Sequence, residues 1–384
     1  VESKIRIGFD AKRAYCNYRG LGNYSRLIIE GLVKWASGET ELCLFTPKVN
    51  LAEYRNWPSS DVNRIEPQGI ERLAPELWRG YLQTRSWAQH NLDLYHGLSH
   101  DLPLTGQTKT KYATKLVVTI HDLIFMRHPE LYPAWDCWTY RKKVEHSCRL
   151  ADSIVAISEQ TKNDLIELLN VPEKKITVLY QAIHPRYYKA EQPKGTILER
   201  PQEQPYFLYV GALEERKNIT RLMNAFAQVA HRGDHQLVLV GKGGLKAELQ
   251  GLAHKLGVQA QVRILTDVGS HELPSYYQGA TALVYPSLFE GFGLPIVEGL
   301  LSETLVITSK GSCFPEAGGS GAFYIDPMSE DELAQQMSLV LTLSTEERAT
   351  RVSKGMEHAK KFHWQATTGQ LLNHYRDVLA STNK

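Results

Sequence analysis

Two doubly wound α/β domains in tandem, facing one another across a cleft, are the fold class this sequence predicts. Three observations predict it. The chain has 384 residues, more than one hydrophobic core comfortably serves, so two domains are the default. Short apolar runs alternate with segments of helical periodicity, the pattern of parallel strands buried on both faces and joined by helices. That alternation breaks at a polar, proline-punctuated stretch and then begins again.

In chain order, KIRIGFD is the first strand expected, and Asn23 to Trp35 places Leu27, Ile28, Leu32 and Trp35 at helical spacing. ELCLFTP, DLYHG and the fully apolar KLVVTIHD follow as strands, SIVAIS with EQTKNDLIELLNV as strand then helix, and KITVLYQAI as a last strand. HPRYYKAEQPKGTILERPQEQP, with Pro185, Pro193, Pro201 and Pro205, is expected to be a linker. PYFLYVG, NITRLMNAFAQVA, HQLVLVG and LKAELQGLAHKLG restart the series, and VRILTDV, TALVYPS and TLVITSK continue it. The expected division is residues 1–190, then residues 191–364.

An apolar fraction of 42% with 22% charged residues is that of an ordinary globular protein. The longest apolar runs have strand length, well short of the ~20 residues that cross a bilayer. VESKIRIGFD enters a strand with no apolar signal core, so the cytoplasm is the expected compartment. Five scattered cysteines with no C-x-x-C pair argue against a disulfide framework and a zinc site. Net charge is +2, but residues 1–190 hold 26 Lys and Arg against 21 Asp and Glu, leaving 18 against 21 in the remainder. The mild basic excess suits an anionic substrate or an anionic membrane surface, and a solvated surface explains it equally well. No nucleic acid is expected as a partner.

Ligands of doubly wound sheets bind beyond the carboxyl ends of the strands, so residues just after strands matter most. Arg216 and Lys217 follow FLYVG and precede a helix, where two cations beside helix N–H groups make a diphosphate anchor. A solvated pair on a surface loop is an equal alternative. Gly241, Gly243 and Gly244 lack the spacing of a dinucleotide fingerprint. Gly20 and Gly22 in RGLGNYS read as a flexible loop that lets backbone approach a ligand, or as a simple turn. His121, directly after the most apolar strand of the first half, is placed to bond a substrate hydroxyl or accept a proton at the cleft, or is satisfied by local backbone. No metal-ligand spacing, G-x-S-x-G or Walker sequence is present.

SLFEGFGLPIVEGL sets Glu290 and Glu298 on either side of Gly291, Phe292, Gly293 and Leu294. Pro295 suits the first turn of a helix, where its missing N–H costs nothing. The glycine-flanked N–H groups then meet phosphate or sugar oxygens closely. Glu290 stands before this nest and Glu298 in the helix's first turn, two acceptors for the hydroxyl donors of sugars and riboses.

At these residues the sequence resembles the retaining glycosyltransferases of family GT4, also called group 1, which have the GT-B architecture of two Rossmann-like domains. Glu290 and Glu298 match the family's E-x7-E signature. GALEERKN, HDLIFMRHPE, AISEQTKNDL and the closing FHWQATTGQLLNHYRDVL resemble it in the right order over nearly the whole chain. The wording is most similar to bacterial mannosyltransferase-like members that build surface polysaccharides. The resemblance implies that Glu298 binds the donor ribose and Glu290 the transferred sugar, and that Arg216 and Lys217 hold the diphosphate. It implies that backbone from Gly291 to Leu294 contacts sugar and phosphate, that His121 lies over the sugar, and that Gly20 and Gly22 lie near acceptor or phosphate. It also implies that Asp267 and Val268 line the base pocket. His121, Arg216, Lys217 and Glu290 are thus the expected catalytic set. Ala212 departs from the family's Arg, so neutralisation rests more on Arg216 and Lys217.

The implied reaction moves a hexose from a nucleotide diphosphate sugar, GDP-mannose by subgroup, to a saccharide or lipid-linked acceptor, with no cofactor and no metal. Peripheral contact with the inner membrane surface is a further expectation, as is a final helix from about residue 365 packing back on the first domain. A non-hydrolysing nucleotide-sugar epimerase and a non-catalytic nucleotide-sugar binding protein are the alternatives.

Overall fold

In the computed structural model, residues 3–58, 62–104, 114–189 and 202–381 are described. Two compact units emerge: Val1–Ala182 together with Trp364–Lys384, and Ile183–His363.

The first unit is built on strands β1 (Ile5–Asp10), β2 (Thr40–Phe45), β3 (Asn63–Ile65), β4 (Leu94–Gly97), β5 (Lys115–Ile120), β6 (Ser153–Ala156) and β7 (Ile176–Val178). Their order is β3-β2-β1-β4-β5-β6-β7, with every pair parallel. Helices α1 (Gly20–Ala36), α2 (Ala134–Leu150) and α3 (Glu159–Leu169) are its longer crossovers. Apolar side chains on the two faces of the strands form separate cores, one around Ile7, Phe9 and Val117, the other around Tyr95, Val118 and Ile154. Such two-sided burial is why these strands read as unbroken apolar runs. KITVLYQAI yields only the three residues of β7, because beyond Val178 the chain makes one further backbone bond, Leu179 N–H to Ala156 O, and leaves the sheet.

The second unit repeats the pattern with β8 (Tyr206–Val210), α4 (Ile219–Val229), β9 (Gln236–Val240), α5 (Lys246–Lys255), β10 (Val262–Leu265), α6 (Leu273–Gly279), β11 (Ala282–Tyr285), α7 (Leu294–Leu301), β12 (Val306–Ser309) and β13 (Ala322–Ile325). The order is β10-β9-β8-β11-β12-β13, again parallel. α4 buries Ile219, Leu222, Met223 and Phe226, the i, i+3, i+4, i+7 stripe that its sequence predicts. After β13 come α8 (Glu330–Thr342) and α9 (Thr345–Ala359); Ser344 and Glu347 start α9 with a capping box.

The last helix, α10 (Trp364–Ala380), belongs to the first unit. Trp364 Nε1 donates to Leu27 O at 2.7 Å, and Leu371, Leu372, Tyr375 and Val378 join Ile28, Ile29 and Leu32 in one core. The units divide at Ala182 and Ile183, eight residues before the expected boundary at 190, because the start of the presumed linker is packed. Tyr187 sets its ring edge-on to Tyr277 at 5.6 Å and Tyr188 stacks on His363 at 4.3 Å, both tyrosines buried. Residues 190–201 of that linker lie outside the described residues. All five cysteines are free thiols. Among the described residues no helix is long and apolar enough to cross a membrane, and no cluster of His, Cys, Asp and Glu could hold a metal ion.

Candidate active site

In the second unit the strand order reverses between β8 and β11, neighbours in the sheet. A crevice opens at the carboxyl ends of strands where such a reversal occurs. The turn after β8 carries Arg216 and Lys217, and the loop after β11 carries Glu290. The two loops are tied together: Leu288 N–H donates to Arg216 O at 3.0 Å and Arg216 Nη1 to Phe289 O at 2.6 Å. Asn218, in the left-handed region at φ 61°, donates through Nδ2 to Pro286 O and Pro327 O at 3.1 and 2.7 Å. Its clamp sets the residue before it, Lys217, facing Glu290.

One carboxylate oxygen, Glu290 Oε1, gathers four donors. Lys217 Nζ lies at 2.5 Å, Ser287 Oγ at 2.7 Å, Arg216 Nη1 at 2.9 Å and Tyr285 OH at 3.1 Å. Lys217 also donates to Tyr285 OH at 2.9 Å. Glu290 and Lys217 are buried and Arg216 is half-buried, so the cations are held on a carboxylate rather than solvated on a surface loop. Burial pushes the Glu290 pKa up, but the Lys217 and Arg216 charges outweigh it and hold the group at about 2. A carboxylate so held is a weak base and a fixed counter-charge.

Gly293 caps α7 at φ 109° and ψ 51°, a left-handed conformation that glycine adopts freely. Its neighbour Phe292 points inward against Phe362, with ring centroids 5.3 Å apart. Cys313 Sγ lies 2.8 Å from Phe292 O and 3.2 Å from Glu290 O, engaging both loop carbonyls. Pro295 occupies the second helical position, as its missing N–H favours.

Glu298 is the fifth residue of α7, just past the first turn where the sequence suggested it, because the helix begins at Leu294, ahead of Pro295, with Gly293 as its cap. It bonds a different set of groups from Glu290: Tyr277 OH donates to Oε2 at 2.7 Å, and Tyr187 hydrogen-bonds it as well. Burial raises its pKa to about 7, against the lowering effects of Tyr277, Arg186 and Tyr187. Neutral phenols and one cation do not stabilise the carboxylate as two close cations do. Asp267 and Val268 follow β10; Asp267 is exposed and pairs with Lys242 at 3.0 Å.

His121, Gly20 and Gly22 belong to the first unit. His121 directly follows β5 and is buried, and its Nε2 lies 2.9 Å from Leu98 O. A carbonyl only accepts, so Nε2 carries the proton and Nδ1 keeps its lone pair. Burial, then the neighbouring His100 ring at 5.3 Å, push its pKa down to about 3, so it is a neutral acceptor near pH 7. Gly20 and Gly22 form the first turn of α1 rather than a flexible loop. The chain enters that helix in a tight reversal, and a Cβ on Gly22 would stand 1.8 Å from Asn17 O, so close approach, not mobility, explains this glycine. Tyr285, Ser287, Tyr277 and Tyr187 were not singled out in the sequence. Ser287 lies inside the stretch around Glu290 and could have been found there; the tyrosines sit in strand, helix and linker patterns that core packing explains.

The family description "Glycosyl transferases group 1" matches residues 193–358 and "Glycosyltransferase Family 4" matches residues 18–187. The chain is 28% identical over 301 residues to O-antigen chain mannosyltransferase B of Escherichia coli, covering 76% of this chain and 77% of that one. It is 28% identical over 273 residues to O-antigen chain mannosyltransferase RfbU of Salmonella typhimurium, covering 70% and 71%. The crystal structure of Anabaena Alr3699/HepE in complex with UDP-glucose shares its fold, with a TM-score of 0.74, 18% identity, and 97% and 100% of the two chains covered.

Proposed function

The chain belongs to the group 1, family 4 glycosyltransferases, and on that premise we propose that it transfers a hexose, with retention, from a nucleotide diphosphate sugar to a saccharide or lipid-linked acceptor. Mannose from GDP-mannose, in surface polysaccharide assembly, is the reading favoured by the mannosyltransferase relatives. That a structural neighbour was solved with UDP-glucose supports the nucleotide sugar. The observation that carries the proposal is the convergence of Lys217, Arg216 and Glu290 at the strand-order reversal, beside the glycine-started helix α7.

As the bond from the anomeric carbon to the diphosphate oxygen breaks, negative charge grows on the leaving group. Lys217, Arg216 and the N–H groups at the start of α7 meet that charge without reorganising. The acceptor hydroxyl oxygen bonds to the anomeric carbon on the same face, and its proton passes to a diphosphate oxygen. Two cations against the one carboxylate of Glu290 leave a net positive charge toward the diphosphate, and the reaction is assigned no metal and no cofactor. Glu290, with its low pKa, is assigned to hydroxyl binding rather than to the nucleophile role of glycosidase carboxylates. Glu298 takes the ribose hydroxyls, with Asp267 and Val268 toward the base. His121 accepts from a sugar hydroxyl through Nδ1. The setting we assign is the cytoplasm, at the inner membrane surface where lipid-linked acceptors lie.

A thermal-shift panel of GDP-, UDP- and ADP-sugars tests the donor assignment. GDP-mannose is expected to raise Tm most, since ligand at 100-fold its Kd adds about 2.7 kcal/mol. Lys217→Ala should abolish both the shift and the transfer. If no nucleotide sugar stabilises the chain, or if Lys217→Ala keeps full activity, the proposal is wrong.

A further inference from the structure

Helix α3 presents a set of polar side chains that the transfer reaction does not itself require. Ser158 caps it, accepting Thr161 N–H at 3.0 Å and donating to Thr161 Oγ1 at 3.0 Å. Thr161 is 1% exposed, and its hydroxyl donates to the backbone carbonyl of His121 at 3.2 Å. One turn on, Asp164, equally buried, accepts the Arg127 guanidinium and Gln160 Nε2, the latter at 2.9 Å. Glu167 takes the same guanidinium at 2.7 Å. Thr161, Asp164 and Glu167 are spaced three apart and share one helix face.

The segment from His121 to Arg127 is therefore gripped at its first residue by Thr161 and at its last by Asp164 and Glu167. Between them Asp122 Oδ1 accepts Ile124 N–H at 3.1 Å. The imidazole is held separately: Nε2–H on Leu98 O, and the ring edge-to-face with Tyr24 at 4.7 Å. Tyr24 OH in turn bonds Thr119, Thr119 bonds His96, and His96 bonds Tyr375 at 2.6 Å. Apolar packing alone would anchor such a loop. A buried carboxylate costs desolvation, and a directed hydroxyl-to-carbonyl bond sets orientation as well as place.

We propose that Thr161 and the Arg127–Asp164 pair are positioning residues for His121: α3 grips both ends of the His121–Arg127 segment and so fixes where the imidazole meets the substrate hydroxyl. The inference rests on the role assigned above to His121. A displacement of about 1 Å at such a group costs up to about 100-fold in rate.

Thr161→Val keeps the side chain's shape and removes the donated proton, while Thr161→Ser keeps the proton. In the full chain, assayed with whichever of GDP-mannose, UDP-glucose and ADP-glucose the wild type turns over, Thr161→Val should lower kcat by roughly 10- to 100-fold with donor KM little changed. Thr161→Ser should recover most of it. A second readout needs no donor: 15N spectra of histidine-labelled protein should show the His121 Nε2–H proton exchanging several-fold faster in Thr161→Val, because freeing the backbone of His121 lets its separate bond to Leu98 O open more often. His121→Ala separates the two ideas. Full turnover in that variant removes the role of His121, and the exchange readout then decides the clamp alone. Wild-type exchange in Thr161→Val, or wild-type kcat there while His121→Ala is inactive, overturns the inference. If Thr161→Val fails to fold, Asp164→Asn, which weakens the hold on Arg127, is read by the same two measurements.

Discussion

Glu290 and Glu298 bear the same carboxylate yet shift in opposite directions, and the difference predicts opposite pH effects. Glu290, held at about 2 by Lys217 and Arg216, contributes stability that is present above pH 4.5 and lost as pH falls toward 2. Glu298, raised to about 7 by burial, takes up a proton more readily folded than unfolded, so it favours folding below pH 4.5 and loses that advantage as pH rises through 7. Glu298→Gln should therefore gain stability relative to the wild type between pH 5 and pH 8, read as a growing Tm difference. Glu290→Gln should lose stability at pH 7, by roughly 3 kcal/mol in urea unfolding, because it strips buried Lys217 and half-buried Arg216 of their shared counter-charge. At this scale the residue types were legible and their states were not. A carboxylate beside glycines announces a polar ligand site, but its pKa is set by Lys217, 73 positions away in sequence.

At the scale of elements, helix starts are where sequence and structure part. NYSRLIIEGLVKW has the apolar stripe of α1, but the helix begins three residues earlier, through glycines that look like breakers. The tight approach of Asn17 O to Gly22 has no local sequence mark. Gly22→Ala should cost more than about 2 kcal/mol, since a backbone oxygen rather than a flexible side chain must yield. Gly293→Ala should cost about 1–2 kcal/mol for the left-handed backbone, and weaken donor binding by tilting the first N–H groups of α7. Urea unfolding together with nucleotide titration separates the two effects. If Gly293→Ala binds donor as the wild type does, the α7 nest is not part of the donor site. β3 was missed because Asn63–Ile65 is mostly polar and offers no apolar run, and β13 because Ala322–Ile325 directly follows glycines that read as a loop.

For the whole molecule, α10 is the test of how the first unit is completed. Its Leu371, Leu372, Tyr375 and Val378 lie in the unit's core, and Tyr375 closes the buried chain through His96 and Thr119. Each such apolar side chain contributes about 1.5–3 kcal/mol by burial, so ending the chain at residue 363 should lower Tm of the first unit by more than about 10 °C or abolish its folding. Differential scanning calorimetry would show it; an unchanged unfolding profile would mean that α10 merely rests on the surface.

Periodicity, turn residues and motif order are local properties, and the sequence by itself determined what depends on them. They set two parallel α/β sheets, the strand after which each polar residue falls, and the pairing of acids with glycines around a helix start. The tertiary structure alone decided which of those residues meet. It gathered Lys217, Arg216, Ser287 and Tyr285 on one oxygen of Glu290, left Glu298 among phenols, and turned the Gly20–Gly22 segment from loop into helix. It also gave α3 its grip on the His121 segment. The reason is physical: burial and charge pairing depend on residues brought together from distant parts of the chain, and the period of no single element records them.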